Sequence, residues 1–400
     1  MNELARRIAI TIGALLLFRL GSHIPMTGIS PRVQADLLSA IGAARISIFA
    51  LSVIPYLSAA ILLQLVAVVW GRLSALERSG EIGRRRIARY TLVLTLLIAS
   101  FQAFGVASGL QGISGVVSEP GAWFLVSATA TMVGGVFCLV WLSEQITRHG
   151  IGNGLALILV VGIIVSLPGD IANTFELLRQ GALPGGLGPL LAVISVALVA
   201  VVVFFEGARR SVPVQYAARQ VGQSVIEPQS SVLSIKINSA GFLIPSTVTP
   251  WVFYLPLALA TFVFGQTSWL ARAYGHLKFG QPVHMVLGSI VIFVLAFIYT
   301  AYVLDPEQAA ETLQKQGGTI QGVAPGEATV EHLDRVASLT TVVGAVYLVA
   351  IVLIPELLVA WGELPFLFGG GSVLIVVCTI LDLKKQVCDL SLTTRGGERK

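Results

Sequence analysis

Ten apolar runs alternate with short polar connections along this 400-residue chain. They fall at about 5–22, 46–70, 90–110, 122–143, 153–167, 187–206, 239–264, 283–303, 337–355 and 364–382. One helix needs roughly 20 apolar residues to cross a hydrocarbon core about 30 Å thick. The runs therefore predict an all-α polytopic membrane protein with ten transmembrane helices. The fifth run is the shortest, about 15 residues, and opens on Gly150, Gly152 and Gly154. Short spans inside a bundle tilt or are shielded by neighbours, so it is kept as a crossing. Pro55, Pro245 and Pro250 fall within runs, which is tolerated where other helices or a wet cavity satisfy the freed backbone groups.

Composition supports the same class. Only 12% of residues are charged and 55% are hydrophobic, with a mean hydropathy of +0.84. A soluble domain carries roughly 25% charged residues; half of that leaves too little polar surface to coat a soluble globule. Arg6 and Arg7 precede an apolar run in the manner of a signal peptide, but the run leads into Phe18-Arg19-Leu20-Gly21-Ser22-His23 with no small-x-small cleavage site. It is expected to stay as the first span. The cysteines, Cys138, Cys378 and Cys388, have no disulfide or metal-site spacing.

Charge placement sets the orientation. With the N-terminus inside, twenty of the Lys and Arg residues face the cytoplasm and six face outward. Such an excess is the positive-inside signature. Ten crossings then return the C-terminus to the cytoplasm. Two cytoplasmic loops, about 207–238 and 304–336, are long and polar. They read either as docking surfaces or as solvated connectors. The spans divide five and five near residues 168–186, which permits an inverted repeat with a site between the halves.

The absent chemistry narrows the function. Glu206, Asp382, Glu356 and Glu363 lie at span ends, while Gln64, Gln102, Ser58 and Thr247, deep in spans, are neutral. An ion-coupled transporter keeps ionisable groups at mid-membrane. There is no Walker loop, dinucleotide fingerprint or zinc-protease motif. A passive pore or insertion scaffold remains, with energy supplied by a partner; no enzyme activity and no cofactor or metal is expected.

Particular strings then carry a family resemblance. They are Arg19-Leu20-Gly21-Ser22-His23-Ile24-Pro25, Ser47 to Ala59, Gly80-Glu81-Ile82-Gly83-Arg84-Arg85, Arg148-His149-Gly150-Ile151-Gly152-Asn153-Gly154, Pro213-Val214-Gln215-Tyr216-Ala217, Pro325-Gly326 and Phe368-Gly369-Gly370-Gly371-Ser372. In this order, from about residue 5 to 385, they closely resemble the SecY family, central subunits of the Sec protein-conducting channel. The resemblance implies two pseudo-symmetric five-helix halves, 1–167 and 187–385, around an hourglass pore, followed by a cytoplasmic tail at 386–400. It implies a lateral gate at spans two, three, seven and eight, through which transmembrane segments leave sideways.

The resemblance also assigns residues. The pore collar falls on Val53, Leu57, Leu159, Ile163 and Ile375, with Thr247 near the seventh-span position. Apolar constrictions gate by dewetting, and pairs four apart share a helix face. A plug falls at about 33–44, with Asp36, Leu37, Leu38 and Ile41; a plain reentrant loop is the other reading of this short segment. Docking to a motor or ribosome falls on Arg84, Arg85, Arg209, Arg210, Arg219, Pro325 and Gly326. The implied partners are SecE-like and SecG-like membrane subunits, the SecA motor ATPase, the ribosome, unfolded preprotein with its signal peptide, and membrane lipid. The implied location is the bacterial plasma (inner) membrane.

Three departures stand out. Ala324 occupies the position before Pro325-Gly326 where the family carries an arginine. The string Asn238 to Pro245 is one residue longer than the family pattern, and the loop after Pro213 is poorer in basic residues. Ala324 and the short plug leave room for an accessory channel that relies on a different motor or only inserts membrane proteins. A small-solute secondary transporter is the alternative outside the family, and it lacks the mid-membrane acid it needs.

Overall fold

The structure is a computed structural model that describes residues 3–30, 47–181, 186–216, 219–221, 224–226, 229–248, 268–362 and 369–397. By compactness the chain divides into two units: Met1–Leu63 with Gly71–Ser195 and Leu364–Lys400, and Gln64–Trp70 with Val196–Glu363. Among the described residues, six helices are long and apolar enough to cross a membrane, opening at Glu81, Ala122, Gly154, Gly188, Pro282 and Glu327.

The first unit opens with α1 (Glu3–Gly21), whose ends carry Arg6, Arg7 and Arg19. After it, Pro25 bridges to Ser47 and Ile29 to Val117. The second span starts later than its apolar run suggests. Residues 48–53 are turns, and Ser52 has φ +52°. Helix α2 runs Ile54–Val69, with Pro55 in its first turn, where a missing N–H costs nothing. Short α3 (Gly71–Arg78) leads to α4 (Glu81–Gln111) and α5 (Ala122–His149). Packing of α4 on α5 is permitted by small residues: Ala103, Ala107 and Ala128 are fully buried beside Met26, Phe124 and Met132.

Helix α6 (Gly154–Arg179) is longer than the fifth run predicts, because it continues through Pro168. Asn153 caps it, its side chain accepting from the Leu155 and Ala156 N–H groups. That satisfies donors otherwise left open in the first turn. Helix α7 (Leu187–Gly207) carries the division between the units. The last helix, α12 (Gly370–Gly397), packs on α6 and continues into the residues expected to be a tail.

In the second unit, the two long polar connections fold together. Strand β1 (Arg209–Tyr216) pairs antiparallel with β4 (Gln229–Lys236), from Arg209↔Lys236 to Tyr216↔Gln229. Its other edge pairs with β5 (Gly318–Ile320) from the later loop, giving the order β4-β1-β5. Strands β2 (Arg219–Val221) and β3 (Ser224–Ile226) form the hairpin tip. The alternating pattern of β1 turns Val212 and Val214 inward. They pack with Ile235, Ile320, Leu333 and with Ala310 and Leu313 of α10 (Pro306–Lys315). The two loops thus share a small core of their own.

Beyond β4, Ile244–Val248 forms a π-helical turn. Most of the seventh span, residues 249–267, lies outside the described residues. Helix α8 (Ser268–His276) precedes α9 (Pro282–Val303), which packs along α11 (Glu327–Gly362).

Candidate functional site

The residues expected to form the collar lie on two packed helices, at one helix start and in a π-helical turn. Val53 is fully buried, and its carbonyl accepts the Leu57 N–H at 3.1 Å. Val53 is therefore the residue that launches α2 rather than a member of it. Leu57 and Ile375 are each 8% exposed, while Leu159 and Ile163 are half-buried on α6. The packing of α6 on α12 brings the helices of Leu159, Ile163 and Ile375 together. Thr247 falls in the π-helical turn. The expected plug, 33–44 with Asp36, Leu37, Leu38 and Ile41, lies outside the described residues.

The glycine string at 148–154 is a three-way junction. The Ile151 N–H donates to Thr11 Oγ1 of α1 at 2.9 Å, and the Gly152 N–H donates to Gln386 Oε1 of α12 at 2.7 Å. The Gly154 N–H donates to Thr147 Oγ1 at 2.9 Å. A Cβ on Gly154 would stand 2.0 Å from the Ser143 carbonyl oxygen, and one on Gly150 would stand 2.4 Å from Thr11 Oγ1. Gly152 has φ +88°, a region L side chains avoid. The glycines are thus required by close approach at the start of α6.

Of the residues expected to dock, Arg84, Arg85, Arg209, Arg210 and Pro325 are exposed. Arg84 and Arg85 lie in the first turns of α4, and Arg85 pairs with Glu81 at 2.7 Å. Both partners are well hydrated, so that pair contributes little. Arg209 and Arg210 open β1 and are exposed; Arg219 lies in β2. Ala324 and Pro325 are exposed in the turn before α11, where Gly326 has φ +100° and the Thr329 hydroxyl donates to the Ala324 carbonyl. Hence Arg209 and Arg210 stand in the middle strand of the β4-β1-β5 layer, and the Pro-Gly turn, a hundred residues on in sequence, follows its edge strand β5.

The SecY family profile matches residues 47–384. The chain belongs to the SecY family. It is 40% identical over 414 residues to the protein translocase subunit SecY of Escherichia coli K12, covering 99% of this chain and 93% of that one. The Vibrio cholerae subunit is 40% identical with 97% and 91% coverage. Among solved structures it matches "The structure of a protein conducting channel" with a TM-score of 0.65 at 18% identity, over 96% of this chain and 92% of the other. It matches Sec61 in the canine ribosome-channel complex with the same TM-score, identity and coverage. The fold is that of a SecY/Sec61 channel, a ten-span membrane protein that is mostly helical rather than all-α, because its two long loops pair as β-strands. Nine of its spans correspond to helices among the described residues, and the seventh is the one that does not.

Within this SecY-family fold, two buried carboxylates escaped prediction as functional groups. Glu206 at the end of α7 is buried, accepting from Asn238 Nδ2 at 2.6 Å and from the Tyr347 hydroxyl at 3.4 Å. Glu356 of α11 accepts from the Gly280 N–H and contacts His284. Their position at span ends is visible in the sequence. Their partners, 32 to 141 residues away for Glu206, have no local signal.

Proposed function

We propose that this chain is the channel-forming subunit of a protein translocase. It passes unfolded secretory polypeptides across the membrane and releases transmembrane segments sideways. The observation that carries this reading is colinear 40% identity to a translocase subunit over 99% of the chain. The halves 1–167 and 187–385 form the two sides of the pore, and Val53, Leu57, Leu159, Ile163, Ile375 and Thr247 form its collar. Residues 33–44 act as the plug. An apolar collar suits varied peptides because it offers no fixed hydrogen bonds to strip from them, yet expels ions by dewetting.

The chain does no chemistry. A partner supplies the energy: the ribosome, or a SecA-type motor ATPase, docked on the β4-β1-β5 layer and on Arg84 and Arg85. Support for ribosome docking comes from the fold's likeness to channels solved on ribosomes, the canine Sec61 complex and the yeast Ssh1 complex. SecE-like and SecG-like subunits complete the complex in the bacterial inner membrane, with both termini in the cytoplasm. The excess of Lys and Arg on one side supports that orientation.

The test is reconstitution. Proteoliposomes holding the chain with its SecE-like and SecG-like subunits, supplied with motor and ATP, should protect an added preprotein from external protease. Vesicles that bind the motor yet protect no preprotein, while taking up a small solute saturably, would favour the transporter reading instead.

A further inference from the structure

The base of the docking hairpin ends on a buried polar node. Past the last strand pair, Arg209↔Lys236, the Ile237 N–H still donates to the Ala208 carbonyl at 3.3 Å. Just beyond that pair, two residues before Ala208 and one after Ile237, the link passes to side chains: Asn238 Nδ2 donates to Glu206 Oε1 at 2.6 Å. Asn238 Oδ1 meanwhile accepts the Gly241 N–H at 3.0 Å. Gly241 has φ +59° and begins the turn that leads into Ile244–Val248.

Helix α11 closes the node from the side. The Tyr347 hydroxyl reaches Glu206 Oε1, and its ring stacks on Phe205 at 4.6 Å and 16°. Gly344 lets α11 come so near that a Cβ there would lie 2.4 Å from the Ile237 carbonyl oxygen. Burial makes these bonds exacting. Glu206, Asn238 and Tyr347 are all buried, and a buried polar group that loses its partner costs more than the bond itself contributes. Asn238 has a donor and an acceptor on one short side chain and uses both, one toward the end of α7, where the hairpin begins, and one toward the seventh span.

We propose that Glu206 and Asn238 are positioning residues that clasp the docking hairpin to the entrance of the seventh span, so that a partner's load on β1 and β4 passes into that span. This rests on the docking reading above. A plain packing role would make the node a passive support, insensitive to which side chain donates and which accepts.

The experiment uses the full chain, assembled with its membrane subunits in proteoliposomes, with vacant bacterial ribosomes as the docking probe. Ribosome affinity and hydrogen exchange of residues 237–248 are measured separately. In the wild type, docking should change exchange in this segment. Glu206→Leu should keep affinity within about twofold, since it leaves the exposed arginines in place, while the exchange response falls to background. Asn238→Asp sets carboxylate against carboxylate and should lose the response as well. The pair E206Q/N238D reverses donor and acceptor, because the new amide donates to the new carboxylate, which still accepts from Gly241. It should restore the response.

An unchanged response in Glu206→Leu and Asn238→Asp would overturn the clasp, as would a well-folded E206Q/N238D protein that binds ribosomes without the response. Failure of the wild type to bind ribosomes at all would overturn the docking reading first and the clasp with it.

Discussion

His284 Nδ1 lies 2.7 Å from Glu356 Oε1 and ties α9 to α11 at a site where the carboxylate is only 2% exposed. The Gly280 N–H donates to the same oxygen at 2.9 Å, so the turn before α9 is held by the same group. With Glu356 ionised its carboxylate only accepts, and the imidazole hydrogen then stands on Nδ1. A carboxylate so buried needs both donors to offset its lost hydration.

Glu356→Ala should therefore destabilise the protein, because it leaves two donors without their acceptor at a cost of about 1–3 kcal/mol each. Glu356→Gln keeps an acceptor oxygen and should lose less. Apparent Tm in detergent distinguishes them, with the order wild type, Gln, Ala. Equal Tm for Ala and wild type would mean that solvent reaches the site.

Adjacent glycines of α5 should respond oppositely to alanine. A Cβ on Gly135 would stand 2.1 Å from the Ile48 carbonyl oxygen, whereas one on Gly134 meets nothing within 4 Å. Gly135→Ala should cost about 1–3 kcal/mol by overpacking. Gly134→Ala should be neutral or mildly stabilising through helix propensity. Thermal unfolding of the two purified variants checks the contrast.

Ribosome binding should be salt-sensitive in proportion to the arginines that touch phosphate. Removing one phosphate contact lowers the slope of log K against log salt by roughly 0.7–0.9. Arg209→Ala and Arg210→Ala should each flatten the slope by about this much, measured by co-sedimentation of proteoliposomes with ribosomes across a salt series. Unchanged slopes would assign those arginines to membrane topology alone.

Ala324 is exposed beside the Pro325-Gly326 turn, so Ala324→Arg has room for its side chain. A charge-assisted hydrogen bond contributes about 1.5–3 kcal/mol. Motor affinity should rise at least about tenfold, with faster motor-driven transport. No change would show that this chain couples to its motor without that contact.

The apolar runs made the spans legible because each is a local property of one stretch of chain. Their ends were less so. Residues 48–53 are apolar enough to extend the second run, yet they turn, and the helix starts where Pro55 fits its first turn. The fifth apolar run ends at about residue 167, but α6 continues through Pro168. Loops at 207–238 and 304–336 look like separate polar connectors because strand pairing such as Gln215↔Thr319 joins residues about a hundred positions apart. Longer separations, 140 and 234 residues, hide the Thr11–Ile151 and Gly152–Gln386 bonds. The collar assignment rests on family likeness alone, since aliphatic side chains facing a pore and facing a core are chemically alike.

The most direct measurement places a photoreactive probe at Leu57, Ile163 or Ile375 in the assembled complex and stalls a secretory chain during transport. A channel collar predicts strong crosslinks from all three positions to the stalled polypeptide, and none from a lipid-facing position such as Val196, which is 71% exposed. An actively transporting complex with no crosslink at any of the three would show that the polypeptide takes another path.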